Sequence, residues 1–435
     1  MGQANGSLNA SGKRAVVTGI GGVSALGVSV TEVWKQLLLG ETGVRPISRF
    51  APDRFVSRLA AEVDDVRVVL SEGPLDFEMR RMALFVRFAV AAGEAALADA
   101  KLCINDGSAQ SGAVYVGVSM GGLPNIEAGI MRQESKGPRK TTPFLIMSLI
   151  PSMAASMLAQ RAGFVGRQLT FAGACAAGSQ ALGAALEAIR RGEHSWVLAG
   201  GAEAVTTPIT FSGFEAMRLL SRGDDPALTP RPFDRGRDGF IIGEGAALFV
   251  VEELERARAR GVTIYGEISG TASSTGADGL ILQAPESIAA CIWAAIRDAG
   301  LEPDDIDAVY AQGSGLVRGD RAEVEALRAV FGRRMPPLTS IKAQTGYTFA
   351  ANGPLSMLAA LMALHTKTLS PTRNFENADD ELGALDIVMA PRAFAGRHCL
   401  VNATGFGGVN ATLVVSAVPE MQSSLYGRNR VQHDI

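Results

Sequence analysis

The residues best placed to do chemistry lie in the run LTFAGACAAGSQALGAALEAIRR, Leu169 to Arg191. Cys175 follows a strand candidate (Gln168 to Phe171) and a Gly173–Ala174 bend. After it, Leu182, Ala185, Leu186 and Ile189 recur at helical spacing. Arg190 and Arg191 close that stretch, where cations complement a helix dipole. A thiol at a helix start faces backbone N–H groups without intrahelical partners, which favours the thiolate and predicts a lowered pKa. Gly173, Ala174, Ala176, Ala177 and Gly178 leave room for a substrate. Such a residue is either a nucleophile or a buried structural thiol, and residue types alone leave both readings open.

The other candidates are weaker. Cys103, Cys291 and Cys399 lack that setting and read as packing residues; four cysteines this far apart form neither a disulfide framework nor a metal-ligand spacing. The four histidines are His194, His365, His398 and His433. The first two read as helix-end residues, His398 precedes a strand, and His433 sits in a polar tail. Asp304, Asp305 and Asp307 lack the glycine turn and closing glutamate of a calcium loop, and read as a solvated turn. Gly19–Gly22 and Gly405–Gly408 carry neither a full dinucleotide fingerprint nor a Walker lysine. No metal or bound cofactor is expected. The stretch Arg222 to Gly239 mixes arginines with Asp224, Asp225, Asp234 and Asp238, and reads as a salt-bridged surface or interface loop.

Positioning these residues requires strands and helices in alternation. Strand candidates run at Ala15–Thr18, Ala113–Val118, Gln168–Phe171, Trp196–Leu198 and Ala246–Val250. A second set follows at Val262–Ile268, Ala308–Tyr310, Leu338–Ser340, Leu400–Val401 and Leu413–Val415. Helical patterns cover Ser287–Ala299, Arg321–Phe331 and Leu355–His365, and Glu252–Arg260 reads as a charged helix. The 50 glycines cluster beside the strands, as tight strand exits require. The pattern predicts an α/β fold in two similar halves, joined near residues 251 to 262 and packed as one rigid unit.

The composition restricts function further. With 435 residues and 47% hydrophobic residues, the chain can build a large core or two domains. A net charge of −3 gives no basic surface for nucleic acid. The opening MGQANGSLNASG has no apolar signal-peptide core, and Gly6 breaks the myristoylation pattern. Thr141 to Gln160 is long enough for a membrane span, but Pro143, Pro151 and three serines interrupt it, and it reads as a loop and a buried helix. A cytoplasmic protein with no membrane partner is expected.

VVTGIGGVSALG at Val16–Gly27 with Trp34, GACAAG at Gly173–Gly178 and LAGGAEA at Leu198–Ala204 form a specific set. RPFDRGRDGFIIGEGAALFVVEE at Arg231–Glu253 and GFGGVNA at Gly405–Ala411 complete it. Over about Lys13 to Ser416 the chain resembles the elongating β-ketoacyl-[acyl-carrier-protein] synthases of the thiolase-like superfamily. The resemblance implies a five-layered αβαβα fold with duplicated halves, here residues 13–255 and 256–417, with tails at 1–12 and 418–435. It implies dimerisation and acyl transfer from the phosphopantetheine of a partner acyl carrier protein onto Cys175, with no cofactor bound by the chain itself. It also implies a gating role for Phe406, an oxyanion hole from the N–H groups of Phe406 and Cys175, and site-organising roles for Lys342 and Glu323. Met147, Met153 and Met157 fall in the family's tunnel and dimer region, where they line an adaptable channel or simply pack.

Two positions depart from that pattern. AQGSG puts Gln312 where the family carries a histidine, and IKAQTGYTFAANG keeps Lys342 but puts Tyr347 at the second histidine. Gly319–Asp320 and Glu323 hold the alignment in place. Glutamine and tyrosine can donate hydrogen bonds, but neither titrates near neutral pH. Standard decarboxylative condensation, which uses both histidines on the developing enolate, is therefore not expected. The first expectation is a partner subunit like a chain-length factor, paired as a heterodimer with a complete ketosynthase and shaping its acyl tunnel. The second is a cysteine-dependent acyltransferase or nonstandard condensing enzyme, alone as a homodimer; the third is a purely structural docking subunit. The retained Cys175 weighs against the first, because chain-length factors typically lack that cysteine.

Overall fold

The computed structural model describes residues 12–102, 112–277, 279–281 and 284–419. Cys103, His433 and most of both expected tails lie outside them. Val418, expected to begin the second tail, is instead buried against Val16, Leu254 and Ala257.

Ten strands carry the fold. In the first half they are β1 (Ala15–Ser24), β2 (Gly112–Gly117), β3 (Arg167–Phe171), β4 (Trp196–Glu203) and β5 (Gly245–Glu253). In the second they are β6 (Gly266–Thr275), β7 (Ala308–Tyr310), β8 (Leu338–Thr339), β9 (His398–Gly405) and β10 (Val409–Ser416). The first half runs β3-β2-β4-β5-β1 and the second β8-β7-β9-β10-β6, the same spatial order in each. The pairing sense repeats as well: the first three strands of each order are parallel, and the last two join antiparallel. The sheets touch where Val16 and Val17 pair with Glu267 and Gly266. Identical order and sense establish the duplication that strand spacing suggests.

Helices fill three layers around the sheets. On the outer face of the first sheet lie α1 (Leu84–Asp99) and α2 (Met153–Arg161). Between the sheets lie α3 (Ala177–Arg190) and α6 (Asn352–Thr366), and the far face carries α4 (Pro285–Asp298) and α5 (Val317–Phe331). Every residue of α6 from Asn352 to Leu364 is buried, as a helix apolar on all sides must be. The halves connect through the short charged helix Leu254–Arg260.

The strands run longer than their β-branched cores. Gly19, Gly21 and Gly22 belong to β1 rather than to a loop after it. A Cβ at Gly19 would lie 2.1 Å from the Ala96 carbonyl oxygen, and one at Gly21 would lie 1.8 Å from that of Ala92. The glycines let α1 press its backbone onto the strand, so close packing and not a turn explains them. No helix among the described residues is long and apolar enough to cross a membrane. The Thr141–Gln160 stretch instead holds a short helix at Leu145–Leu149 and then α2.

Candidate active site

Cys175 sits where β3 turns into α3. Ala174 takes a left-handed conformation, φ 47°, and Ala174–Ala176 forms a single 3₁₀ turn before α3 begins. This strained corner turns the chain inside about four residues and presents the thiol to the second half. Gly405, at the end of β9, lies against it. A Cβ there would come within 2.9 Å of the Cys175 nitrogen, so only glycine allows the contact. The next residue, Phe406, brings its backbone N–H to the thiol beside that of Cys175 itself. The nucleophile corner thus comes from one half of the duplication and the facing donor from the other.

The thiol is not the lowered one its helix-start position predicts. Burial pushes Cys175 up to about 11, and the Glu203 charge adds to the rise. The Tyr347 hydroxyl and the two backbone N–H groups oppose it without reversing it. Only 4% of Cys175 is exposed, and at that depth the desolvation of a charge outweighs a few donors.

Gln312 and Tyr347 meet beside the thiol. Gln312 Nε2 donates to the Tyr347 hydroxyl at 2.8 Å and to the Thr404 carbonyl at 3.2 Å. The Tyr347 hydroxyl lies within hydrogen-bonding reach of the Cys175 sulfur. Burial, reinforced by Cys175, raises Tyr347 well above the ordinary phenol range, so it remains a donor. Its ring fills space against Phe240, 4.7 Å between centroids, and edge-on to Phe349. Phe406 joins this aromatic group through Phe214, at 6.1 Å. A narrow cleft runs past Gln312, Tyr347, Thr404, Gly405 and Phe406.

The start of α5 holds the Gln312 loop. Glu323 Oε1 accepts from the Gln312 N–H at 2.7 Å and from Asn402 Nδ2 at 2.8 Å, while Oε2 accepts from the Gly313 N–H at 2.8 Å. Asp320, one turn earlier, accepts from the N–H groups of Ser314 and Phe233. Burial, with Glu323 nearby, pushes Asp320 up to about 6 against the pull of those donors and of Arg237. Lys342 Nζ, fully buried, donates to the Ala311 carbonyl at 3.1 Å, and burial lowers it to about 8. Lys342 and Glu323 therefore brace the loop that carries Gln312.

The arginine-rich stretch comes out differently from its expectation. Asp234 and Arg237 are buried rather than on a surface loop. Asp234 accepts the N–H groups of Glu376 and Asn377, and Arg237 bonds Asp379 at 2.6 Å and approaches Asp320. That arginine-rich stretch is an internal bracket reaching the site. Met157 packs in the core with Phe85 and Leu158, Met153 is half-buried at its edge, and Met147 is 40% exposed. None of the three lines the cleft beside Gln312 and Tyr347; Met153 and Met157 lie on α2, which packs on α1. His194, His365 and His398 lie outside that cleft. Sequence reasoning missed Asn402, Thr404 and the Phe214–Phe240–Phe349 group. A lone asparagine inside the strand run LVNATG is the one available signal, since the Thr404 contribution is a backbone carbonyl.

A duplicated 3-2-4-5-1 sheet pair with a cysteine on the corner entering the central helix defines the thiolase-like fold. The beta-ketoacyl synthase N-terminal domain matches residues 13–257, and the C-terminal domain matches 265–376. The chain belongs to the beta-ketoacyl synthase family. It is 37% identical to 3-oxoacyl-[acyl-carrier-protein] synthase 2 of Coxiella burnetii, over 93% of this chain and 99% of that protein. The corresponding protein of Synechocystis sp. is 36% identical over 92% and 97%. Among solved structures, the ishigamide ketosynthase/chain length factor superposes with TM-score 0.88 at 31% identity, covering 93% of this chain and 99% of that one. A beta-ketoacyl synthase from Burkholderia phymatum gives 0.85 at 33%, covering 93% and 100%.

Proposed function

We propose that this chain is a Cys175-dependent enzyme that takes an acyl group from a carrier-protein thioester and passes it to a nucleophile other than a malonyl carbanion. The observation that carries this reading is the arrangement around Cys175: a strained corner, a buried thiol with the Phe406 and Cys175 N–H groups beside it, and Tyr347 in the same packed cluster. In thioester exchange the Cys175 sulfur attacks the acyl carbon, and the carbonyl oxygen takes its negative charge onto the two N–H groups. The bond to the phosphopantetheine sulfur of the carrier protein breaks, and the proton lost by Cys175 leaves on that thiol. The chain itself needs no bound cofactor for this step. Malonate decarboxylation asks for more, namely two donors on the enolate oxygen, and here Gln312 and Tyr347 are bonded to each other instead.

This reading replaces the partner subunit as first choice. A cysteine retained on this corner argues against a silent subunit, and the relatives named above are themselves synthases. The similarity to the ishigamide ketosynthase/chain length factor keeps pairing with a second chain as an alternative. Peptide mass spectrometry after incubation with an acyl-loaded carrier protein separates the two. The acyltransferase reading expects the acyl group on Cys175 and none in Cys175→Ala; an unmodified Cys175 that becomes neither acylated nor needed favours the partner role.

A further inference from the structure

The Gln312 side chain has spent both of its donors. Thr404 offers it a carbonyl, which can only accept, so the nitrogen of the amide must face Thr404 and the Tyr347 hydroxyl. Oε1 is left over. It is buried and has no hydrogen-bond partner among the described residues, although Gln312 as a whole is only 8% exposed. Buried acceptors are nearly always paired, so an orphan beside a substrate cleft calls for a donor that arrives with the substrate. Gln312 lines that cleft with Thr404, Gly405 and Phe406, and Gly405 packs against the Cys175 corner.

We infer that Gln312 Oε1 receives an N–H of the incoming nucleophile and that this nucleophile is a primary amine. The inference rests on the proposed acylation of Cys175 and specifies what discharges it. A malonyl thioester would bring only acceptor oxygens to this position, where Oε1 repels them. An alcohol would need a base to attack. Glu323, which lines the cleft, is already filled by Gln312 N–H, Gly313 N–H and Asn402, and Glu203, whose charge reaches Cys175, by the N–H groups of Ser119, Met120 and Gly121. A neutral amine attacks without prior deprotonation. Its lone pair forms the C–N bond and the C–S bond breaks, its electron pair returning to Cys175 sulfur. One N–H stays on Gln312 Oε1 and persists in the amide product. The displaced proton goes to the sulfur, with the Tyr347 hydroxyl in reach to hand one over and take one back.

The test begins with the full-length protein acylated at Cys175 by octanoyl-N-acetylcysteamine. It is then exposed to glycinamide, to glycolamide (the same molecule with a hydroxyl in place of the amine), to malonyl-N-acetylcysteamine or to buffer. Intact mass follows loss of the acyl group, and chromatography follows the product. The expected result is octanoyl-glycinamide formation at least tenfold faster than discharge by glycolamide, malonyl thioester or water, measured against aminolysis of the free thioester. Gln312→Met keeps length and burial but removes the acceptor along with the donors to Tyr347 and Thr404; the fraction that becomes acylated should lose most of that preference. Equal discharge by all four, faster discharge by malonyl thioester, or a preference unchanged in Gln312→Met would overturn the amine assignment while leaving Cys175 acylation standing. Failure of Cys175 to acylate would remove both.

Discussion

At the scale of single residues, the chemistry turns on a thiol that is deep rather than activated. An exposed helix-start cysteine would already be largely thiolate at pH 7 to 8. Cys175, pushed up to about 11 by burial, gains thiolate tenfold per pH unit throughout the range below that value. Alkylation by iodoacetamide, read at the Cys175 peptide, should therefore keep rising from pH 7 to pH 10; a plateau near pH 8 would contradict the buried-thiol account. Tyr347→Phe removes the hydroxyl that favours the thiolate, so the same rate at pH 8 should fall by roughly tenfold, the value of about one pKa unit. The sequence identified Cys175, Gln312 and Tyr347 through motif position. It misjudged the direction of the thiol's shift because burial depends on the Phe406 loop, more than 200 residues away, and on an aromatic group gathered from Phe214 to Phe349. The orphaned Gln312 oxygen was equally invisible, since it depends on where one backbone carbonyl points.

At the scale of elements, α5 is the support of the site. Its first turns supply Asp320 and Glu323, and these two carboxylates gather six donors from the Gln312–Gly315 loop, Asn402 and Phe233. Glu323→Ala would leave three buried donors unpaired, for a loss of about 3 kcal/mol or more in chemical denaturation. Glu323→Gln, which keeps an acceptor at the same length, should lose clearly less; equal losses would mean that volume, not hydrogen bonding, holds the loop. All ten strands and the α3 to α6 patterns could be located from β-branched runs and helical spacing. Their ends could not, because the glycines of β1 resemble a turn until the backbone of α1 is laid against them. The buried bracket at Asp234 and Arg237 was misread for a related reason: its partners at residues 376–379 are distant in sequence, and a charged stretch on its own resembles a surface.

At the scale of the whole molecule, the two ends of the sheet pair differ. Leu338 of β8 is covered by the chain at Asp386 to Val388, whereas β3 pairs, among the described residues, on one side only, with β2. Ile130, Met131, Ile146, Met147 and Ile150 expose apolar surface as well. An open strand edge with apolar surface is a pairing template. The pure chain should sediment as a dimer, and Thr170→Pro, which removes an N–H on the side of β3 away from β2, should weaken or abolish it; a monomeric wild type would point to a different chain as the partner. A second copy covering Met147 is also the arrangement in which the methionine region could border an acyl channel. The central claim is that acyl loading persists here while malonate decarboxylation does not. The measurement that tests it is simultaneous: acylation of the pure protein by an acyl carrier-protein thioester, and carbon dioxide release from malonyl carrier protein, each against Cys175→Ala. The account expects stoichiometric acylation of Cys175 with carbon dioxide release no faster than in Cys175→Ala. Cysteine-dependent carbon dioxide release, or no acylation at all, would contradict it.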